Sequence, residues 1–452
     1  VGVLDLIRAG LQDLDMAREL LDELHADGID DDQLHLLMET LEKTCDPDVA
    51  LRNLVDIIKA LQSQGRDFRQ IITDNEGLVR LVTVLGVSDE MGKLMRFRPE
   101  LVMAAASDSC ESHLYNHAQR RAHVLEAVGA DPVDSRTPKA SKPLAEAATA
   151  LRQTYRKQLA AIMAQDTTAE DPIEIQPRIS QELSDLADAA LEGALAIARN
   201  EVDGSEHVRF AIIGMGKLGA RELNYVSDVD LIYVVEPADK DTNGMTLNRV
   251  GTKMATTLQR VCQSVIMGVA EPTLWQIDGG LRPEGKDGPL VRKLESHKAY
   301  YEQWAENWEF QALLKARPVA GDPDLGQAYM DMTRPFVWAA SKRDNFVYDC
   351  QQMRKRVEDL IPAPLKDREI KLGRGGLRDV EFTVQMLQLV HGRADETLRT
   401  SSTLESLQRL AEGGYVSRRQ AKKLSWDYRF ERVMDHRPPL GALKRTPRFP
   451  DL

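Results

Sequence analysis

Two apolar runs constrain this chain most, because so little sequence separates them. Val208–Gly214 and Val229–Val235 are each almost continuously apolar, which reads as strands buried on both faces. Between them lies Gly214-Met215-Gly216-Lys217-Leu218-Gly219, and only about a dozen residues separate Gly216 from the second run. A strand, a G-x-G-x-x-G loop and an acidic Glu236 at the end of the next strand also outline a dinucleotide-binding unit. That unit needs a crossover helix between parallel strands, and the room here is tight for one, which leaves the dinucleotide unit as a minority reading. It also gives no purpose to Asp228 and Asp230 at the entrance to the second strand.

Asp228 and Asp230 stand at i and i+2, so on a strand they point to one face. Like charges held side by side are costly unless a cation lies between them. Hard cations such as Mg²⁺ prefer oxygen ligands and share them with substrate phosphate. The glycines let the preceding loop approach a phosphate, where free amides bind it. A third run, Thr273-Leu274-Trp275-Gln276-Ile277, reads as a strand ending on Asp278. If it neighbours the second strand, Asp278 faces the other two carboxylates, and two metal ions held there can assist an in-line displacement at phosphorus. A lone Asp-x-Asp is commonly a solvated pair and a lone glycine loop is weak. Together they point to a metal-dependent nucleotidyltransferase site.

The flanks read as helical. Met16–Leu24 repeats apolar residues at helical spacing and stops near Gly28; Asp46-Pro47-Asp48 opens another helix with Leu51, Leu54 and Ile57 on one face. Asp131–Pro143, rich in Pro, Ser, Asp and Lys, is the best linker candidate. Ile179, Leu183, Leu186, Ala190, Leu191, Ala194 and Ile197 form a single stripe, which reads as core. A helix is expected over Leu247–Met267, and helices again from about residue 340. The expected class is therefore α+β, predominantly helical, with a small mixed sheet. Net charge is −12 over 452 residues, which argues against tracking along nucleic acid. Cys45, Cys110, Cys262 and Cys350 lie far apart with no CxxC pair, which argues against structural zinc and suits a reducing cytoplasm. No apolar run approaches the roughly 20 residues of a membrane span, and the start lacks the basic region of a signal peptide. The chain opens on Val1 instead of Met, so a fragment is expected.

Several separate words now carry a resemblance. Gly214–Ile232, with Gly216-Lys217 ahead of Ser227-Asp228-Val229-Asp230, resembles the signature of the glutamine synthetase adenylyltransferase / adenylyl-removing enzyme family, a branch of the polymerase-β-like nucleotidyltransferases. Asp278-Gly279-Gly280-Leu281-Arg282-Pro283-Glu284-Gly285 is similar to its third-carboxylate motif, with Gly279 and Gly280 in place of a more usual Met/Leu-Arg. Trp308–Arg317, Lys371–Phe382 and Asp46–Leu51 match as well. Family members carry two catalytic halves. One removes AMP from an adenylylated tyrosine of glutamine synthetase by phosphorolysis, giving ADP; the other attaches AMP from ATP.

The signature occurs once here, so the chain resembles one half. The long helical stretch before the site, the Leu314-Lys315-Ala316-Arg317 tail and the closing helical segment favour the N-terminal, removing half. The resemblance implies a helical region over 1–135, a catalytic domain with leading helices over 136–335 and a helical bundle over 336–452. It implies that Asp228, Asp230 and Asp278 bind Mg²⁺ or Mn²⁺, with inorganic phosphate as co-substrate. Gly214, Gly216, Lys217 and Ser227 would cradle phosphate, and Arg282, Lys315 and Arg317 would hold the nucleophilic phosphate or the AMP. Arg374, Arg378 and Glu381 stand at a glycine-rich helix start that is either an anion site or a capped turn supporting the site. The implied partners are adenylylated glutamine synthetase and a PII-type signalling protein, with no nucleic acid and no membrane. Transfer of AMP from ATP, and a non-catalytic docking fragment, stay open as alternatives. Pro438 and Pro439 interrupt a segment expected to be helical.

Overall fold

In a computed structural model the described residues are 2–72, 74–107, 116–365, 369–437 and 440–441. Cys110, Pro438 and Pro439 lie outside them. The described residues form two compact units. One draws on Val1–Asn116, Tyr155–Ile179 and His436–Arg445, the other on His117–Thr154 and Ser180–Asp435.

The first unit is helical because its sequence supplies both apolar stripes and caps. Asp13, Asp30, Asp46 and Asp74 each accept a hydrogen bond from an amide of the helix they open, satisfying donors that a helix start leaves bare. The Leu14–Ala26 helix stops two residues before Gly28, whose φ is +95°. In Pro47–Ser63, Leu51, Leu54 and Ile57 are buried as the spacing predicts. Arg80 is buried, and its guanidinium donates to the Ala106 carbonyl.

The second unit holds the sheet, of order β3-β2-β1-β5 with β4 also on β2. The strands are β1 (Val208–Gly214), β2 (Val229–Pro237), β3 (Ile277–Asp278), β4 (Val291–Arg292) and β5 (Arg317–Gly321). β1 runs antiparallel to both β2 and β5, whereas β3 and β4 run parallel to β2. The sheet is therefore mixed. The short link between β1 and β2 allows only an antiparallel pair, Gly214 opposite Leu231, and this excludes the parallel crossover of a dinucleotide-binding unit.

Both faces of β1 and β2 are covered, which explains their continuous apolar character. Ala211, Ile213, Ile232 and Val234 join Tyr301, Phe310, Leu325 and Tyr329 in one core. On the opposite face the Gly244–Gln263 helix approaches so closely that a Cβ on Gly251 would stand 3.1 Å from Val235 Cγ1. Helices Leu377–His391, Thr403–Glu412 and Arg418–His436 build a separate core around Leu377, Leu407 and Tyr428. The last of these stops at His436.

Three expectations are corrected or sharpened. The helix expected over Leu247–Met267 spans Gly244–Gln263. The strand expected from Thr273 is reduced to Ile277–Asp278. Before Ile277 the chain is tied to the end of the Gly244–Gln263 helix, Leu274 N donating to the Cys262 carbonyl and Ile277 N to Gln263 Oε1. Trp275 is buried there, so the apolar character of this run reflects packing and not strand pairing. Asp131–Pro143 carries no helix or strand, yet it is firmly tethered. Arg121 donates to the carbonyls of Pro132 and Asp134, and Arg199 to those of Pro138 and Arg136. Among the described residues no helix is long and apolar enough to cross a membrane.

Candidate active site

The link between β1 and β2 makes one helical turn, Gly216–Gly219, and two of its glycines are required by contact. Gly216 has φ +55°, and a Cβ there would stand 2.7 Å from Asp230 Oδ2. A Cβ on Gly219 would lie 1.8 Å from the Lys315 carbonyl oxygen and 2.6 Å from that of Gly214. Met215 N donates to the Asp230 carbonyl, so the turn is sewn to the start of β2. The loop therefore lies directly against the Asp230 carboxylate.

β3 pairs in parallel with the first residues of β2, setting Asp230 opposite Asp278. Partners in a parallel pair share a face, so these two carboxylates project together. Burial, and then the Asp278 carboxylate, push Asp230 up to about 6; Lys371 and Arg378 pull the other way, and Asp228 adds to the rise. The three aspartates thus form one electrostatic group, as the i, i+2 spacing and the third strand lead one to expect. Asp278 Oδ1 accepts from Gly280 N at 2.7 Å, and Ser227 Oγ donates to the Asp228 carbonyl at 3.0 Å. Among the described residues, the group of three whose ligand atoms all lie within 4.8 Å is a different one, His117, Asp185 and Asp188. There two guanidiniums already supply the positive charge, Arg221 on Asp185 and Arg317 on Asp188. The Asp228, Asp230 and Asp278 set has wider spacing and an all-oxygen donor chemistry that suits hard divalent cations.

Four cations expected at the phosphate are committed elsewhere. Lys217 Nζ donates to Asp435 Oδ2 at 2.7 Å. Burial, with Arg432 and Lys371 nearby, lowers its pKa to about 7 against the pull of Asp435. Lys315 is buried between Glu222, 3.0 Å away, and Glu381, 3.8 Å away, with the Thr403 hydroxyl at 3.3 Å. Arg317 grips Asp188 through two nitrogens and donates to the Leu218 and Gly219 carbonyls, fastening the loop from behind. Arg282 donates to the carbonyls of Gly279, Lys286 and Gly288, closing its own loop. Glu222 joins several of these parts. It accepts from Lys315, from Thr403 N and from Tyr428, and its carbonyl accepts from Arg432. Burial opposes ionisation of Glu381, but Lys315, Arg378, Lys217 and Arg432 outweigh it and hold the carboxyl at about 2.

The glycine-rich turn before the Leu377–His391 helix is a capped turn. Gly375 N donates to Asp379 Oδ2, and Arg354 holds Asp379 Oδ1 and the Leu372 and Gly373 carbonyls. From this turn Lys371 and Arg378 act on Asp230. Arg378 was singled out from sequence with Arg374 and Glu381, its role left open between an anion site and a capped turn, whereas Lys371 entered only as the first residue of a matching word. The signal available was basic residues flanking a glycine turn, which alone does not show which way the turn faces.

A mixed sheet whose tight loop and edge strand gather three aspartates, inside a helical framework, is the arrangement of a nucleotidyltransferase-like protein. Residues 78–332 match the glutamate-ammonia ligase adenylyltransferase family, and residues 351–451 match the GlnD PII-uridylyltransferase family. The chain belongs to the glutamate-ammonia ligase adenylyltransferase family. It is 77% identical over 449 residues to a bifunctional glutamine synthetase adenylyltransferase/adenylyl-removing enzyme of Bifidobacterium longum, covering 99% of this chain and 42% of that protein. Proteins of the same description from Cutibacterium acnes and Mycolicibacterium smegmatis are each 44% identical; the matches cover 99% and 93% of this chain and 45% and 40% of the relatives. The chain thus spans less than half the length of these relatives.

Proposed function

We propose that this chain removes AMP from an adenylylated tyrosine of glutamine synthetase by phosphorolysis, releasing ADP and the free tyrosine. The observation that carries the reading is the convergence of Asp228, Asp230 and Asp278 against the Gly216 turn. Asp228, Asp230 and Asp278 would hold Mg²⁺ or Mn²⁺, which when bound would neutralise phosphate charge and stabilise the departing phenolate. A phosphate oxygen attacks the phosphorus of the AMP group; the new P–O bond forms as the bond from phosphorus to the tyrosyl oxygen breaks. The phenolate then takes up a proton from solvent. The nucleophile is already an anion, so no general base is needed, and the protein's work is positioning and charge compensation.

Gly216 lets the turn lie against Asp230, and its backbone, with Ser227 at the other end of the loop, would cradle a phosphate. Lys315 and Arg317 act here by fixing the loop and its neighbours. The reading of direction rests on the Leu314-Lys315-Ala316-Arg317 tail and the long helical stretch before the site. Transfer of AMP from ATP uses the same carboxylates, and the description of the matched family favours that second reading. A PII-type regulator is a further proposal, supported by the match over residues 351–451.

Incubation with adenylylated glutamine synthetase, Mg²⁺ and phosphate tests direction. ADP release that requires phosphate is the expected result. Incorporation of AMP from labelled ATP into unmodified synthetase, without phosphate-dependent ADP release, would overturn it. Absence of both, with Asp228→Asn indistinguishable from the unaltered chain, would leave a docking fragment.

A further inference from the structure

We propose that Arg378 binds a phosphate oxygen opposite the three aspartates, as the substrate-binding cation of the site; this rests on the phosphorolysis reading. The argument begins with commitment. Lys217, Arg282, Lys315 and Arg317 each donate hydrogen bonds to carboxylates, a hydroxyl or carbonyls within the fold. A guanidinium has five N–H donors and no acceptor. Arg378 uses none of its own in a hydrogen bond among the described residues. Its nearest carboxylate is Glu381 Oε2, at 3.7 Å, beyond hydrogen-bond length. Its Nε is sealed from solvent without a partner. The Phe382 ring backs the guanidinium at 5.8 Å.

The support beneath Arg378 is rigid. A Cβ on Gly376 would meet the Ile370 carbonyl oxygen at 2.2 Å, so the turn is tightly packed. The amides of Leu377, Arg378 and Asp379 donate to the carbonyls of Ile370, Lys371 and Gly376. The helix start therefore has these amides already occupied, and the side chain is left to receive an anion. A partly exposed guanidinium with a sealed, unpartnered Nε, whose nearest carboxylate among the described residues stands at 3.7 Å, is a weak ion pair and a good oxyanion receptor, since its planar fork matches two oxygens of a phosphate. The ligand is a phosphate oxygen, carried either by free inorganic phosphate or by the AMP group.

The test uses Arg378→Gln and Arg378→Lys in the whole chain. In Arg378→Gln, Glu381 keeps Lys315 as its counter-charge, so folding should survive, as circular dichroism would show. One KM in ADP release, that for phosphate if the free anion is the ligand or that for adenylylated synthetase if the AMP group is, should rise about ten- to hundredfold, the loss expected for one charge-assisted hydrogen bond, with Arg378→Lys recovering part of it. The other KM should change less than about twofold, a split that a merely structural role would not produce. Calorimetric titration with phosphate and separately with AMP, in Mg²⁺, reads binding without turnover. Loss of phosphate binding identifies the free anion as the ligand, and loss of AMP binding identifies the nucleotide phosphate. If a folded Arg378→Gln chain binds both as the unaltered chain does, the proposal is overturned. If the unaltered chain releases no ADP, the phosphorolysis reading fails instead, and the two titrations still decide the role of Arg378.

Discussion

Asp230 sits where its charge is least welcome, and that sets its chemistry. Its pKa is raised to about 6 by burial and by the carboxylates beside it. Stability from such a group is present below the ordinary carboxylate value near 4 and is lost as pH rises through about 6. A divalent cation reverses that loss but competes with protons for the same oxygens. Mg²⁺ should therefore raise the melting temperature more at pH 7.5 than at pH 5. Equal shifts at both pH values, or an undiminished shift in Asp278→Asn, would count against the three aspartates as ligands. Gly216 is bound to the same residue by space. Gly216→Ala combines a φ of +55° with a Cβ 2.7 Å from Asp230 Oδ2, and should cost about 1–2 kcal/mol in denaturant melts. ADP release should fall by at least about tenfold, since the added carbon must push the Asp230 carboxylate out of its place.

At the scale of elements, β1, β2 and the loop between them were legible because their signal is local: two apolar runs, glycines and an i, i+2 pair. β3 was half legible. Its apolar residues were evident, but Leu274 and Ile277 are held by a helix end that periodicity does not reveal. The basic residues were the least legible. Lys217 and Asp435 are 218 residues apart, Arg317 and Asp188 129, and Lys315 and Glu222 93. Nothing local distinguishes a cation reserved for a substrate from one reserved for a distant carboxylate. Asp435→Asn tests this directly, because it leaves Lys217 buried without its counter-charge. The cost should be about 2–4 kcal/mol. It should be larger at pH 6 than at pH 9, because Lys217, already near 7, sheds its proton at the higher pH. Equal loss at both pH values would show that the pair contributes through packing alone.

The whole molecule depends on carboxylates held below their ordinary range. Glu381 lies at about 2, and Asp435 and Asp322 are lowered against the effect of burial. In the helical unit Asp166 is lowered too, by His436 and Arg437 against burial. For a lowered carboxyl the stabilisation is complete above the unfolded value near 4 and is lost as pH falls toward the folded value. Both units should thus unfold in acid between about pH 4 and pH 2, which near-ultraviolet circular dichroism would report. Retention of the native signal at pH 2 would contradict it. The predominantly helical class with a small mixed sheet was readable from the alternation of helical and strand patterns along the chain. The division into two units was not, since its boundaries at Tyr155 and Ile179 fall inside the long helices Leu144–Thr168 and Pro172–Glu201.

The ion pair between Lys217 and Asp435 also orders events in time. Closing a loop of that length is slow, and the entropy it costs is met before its contact forms. During synthesis the glycine turn and the aspartates emerge long before residue 435. Until then Lys217 has a water-facing ammonium and no anchor, and the turn that carries it lacks its final restraint. The glycine turn should consequently be among the last parts of its unit to gain protection from hydrogen exchange during refolding, although the strands on either side of it are among the most local contacts in the sheet.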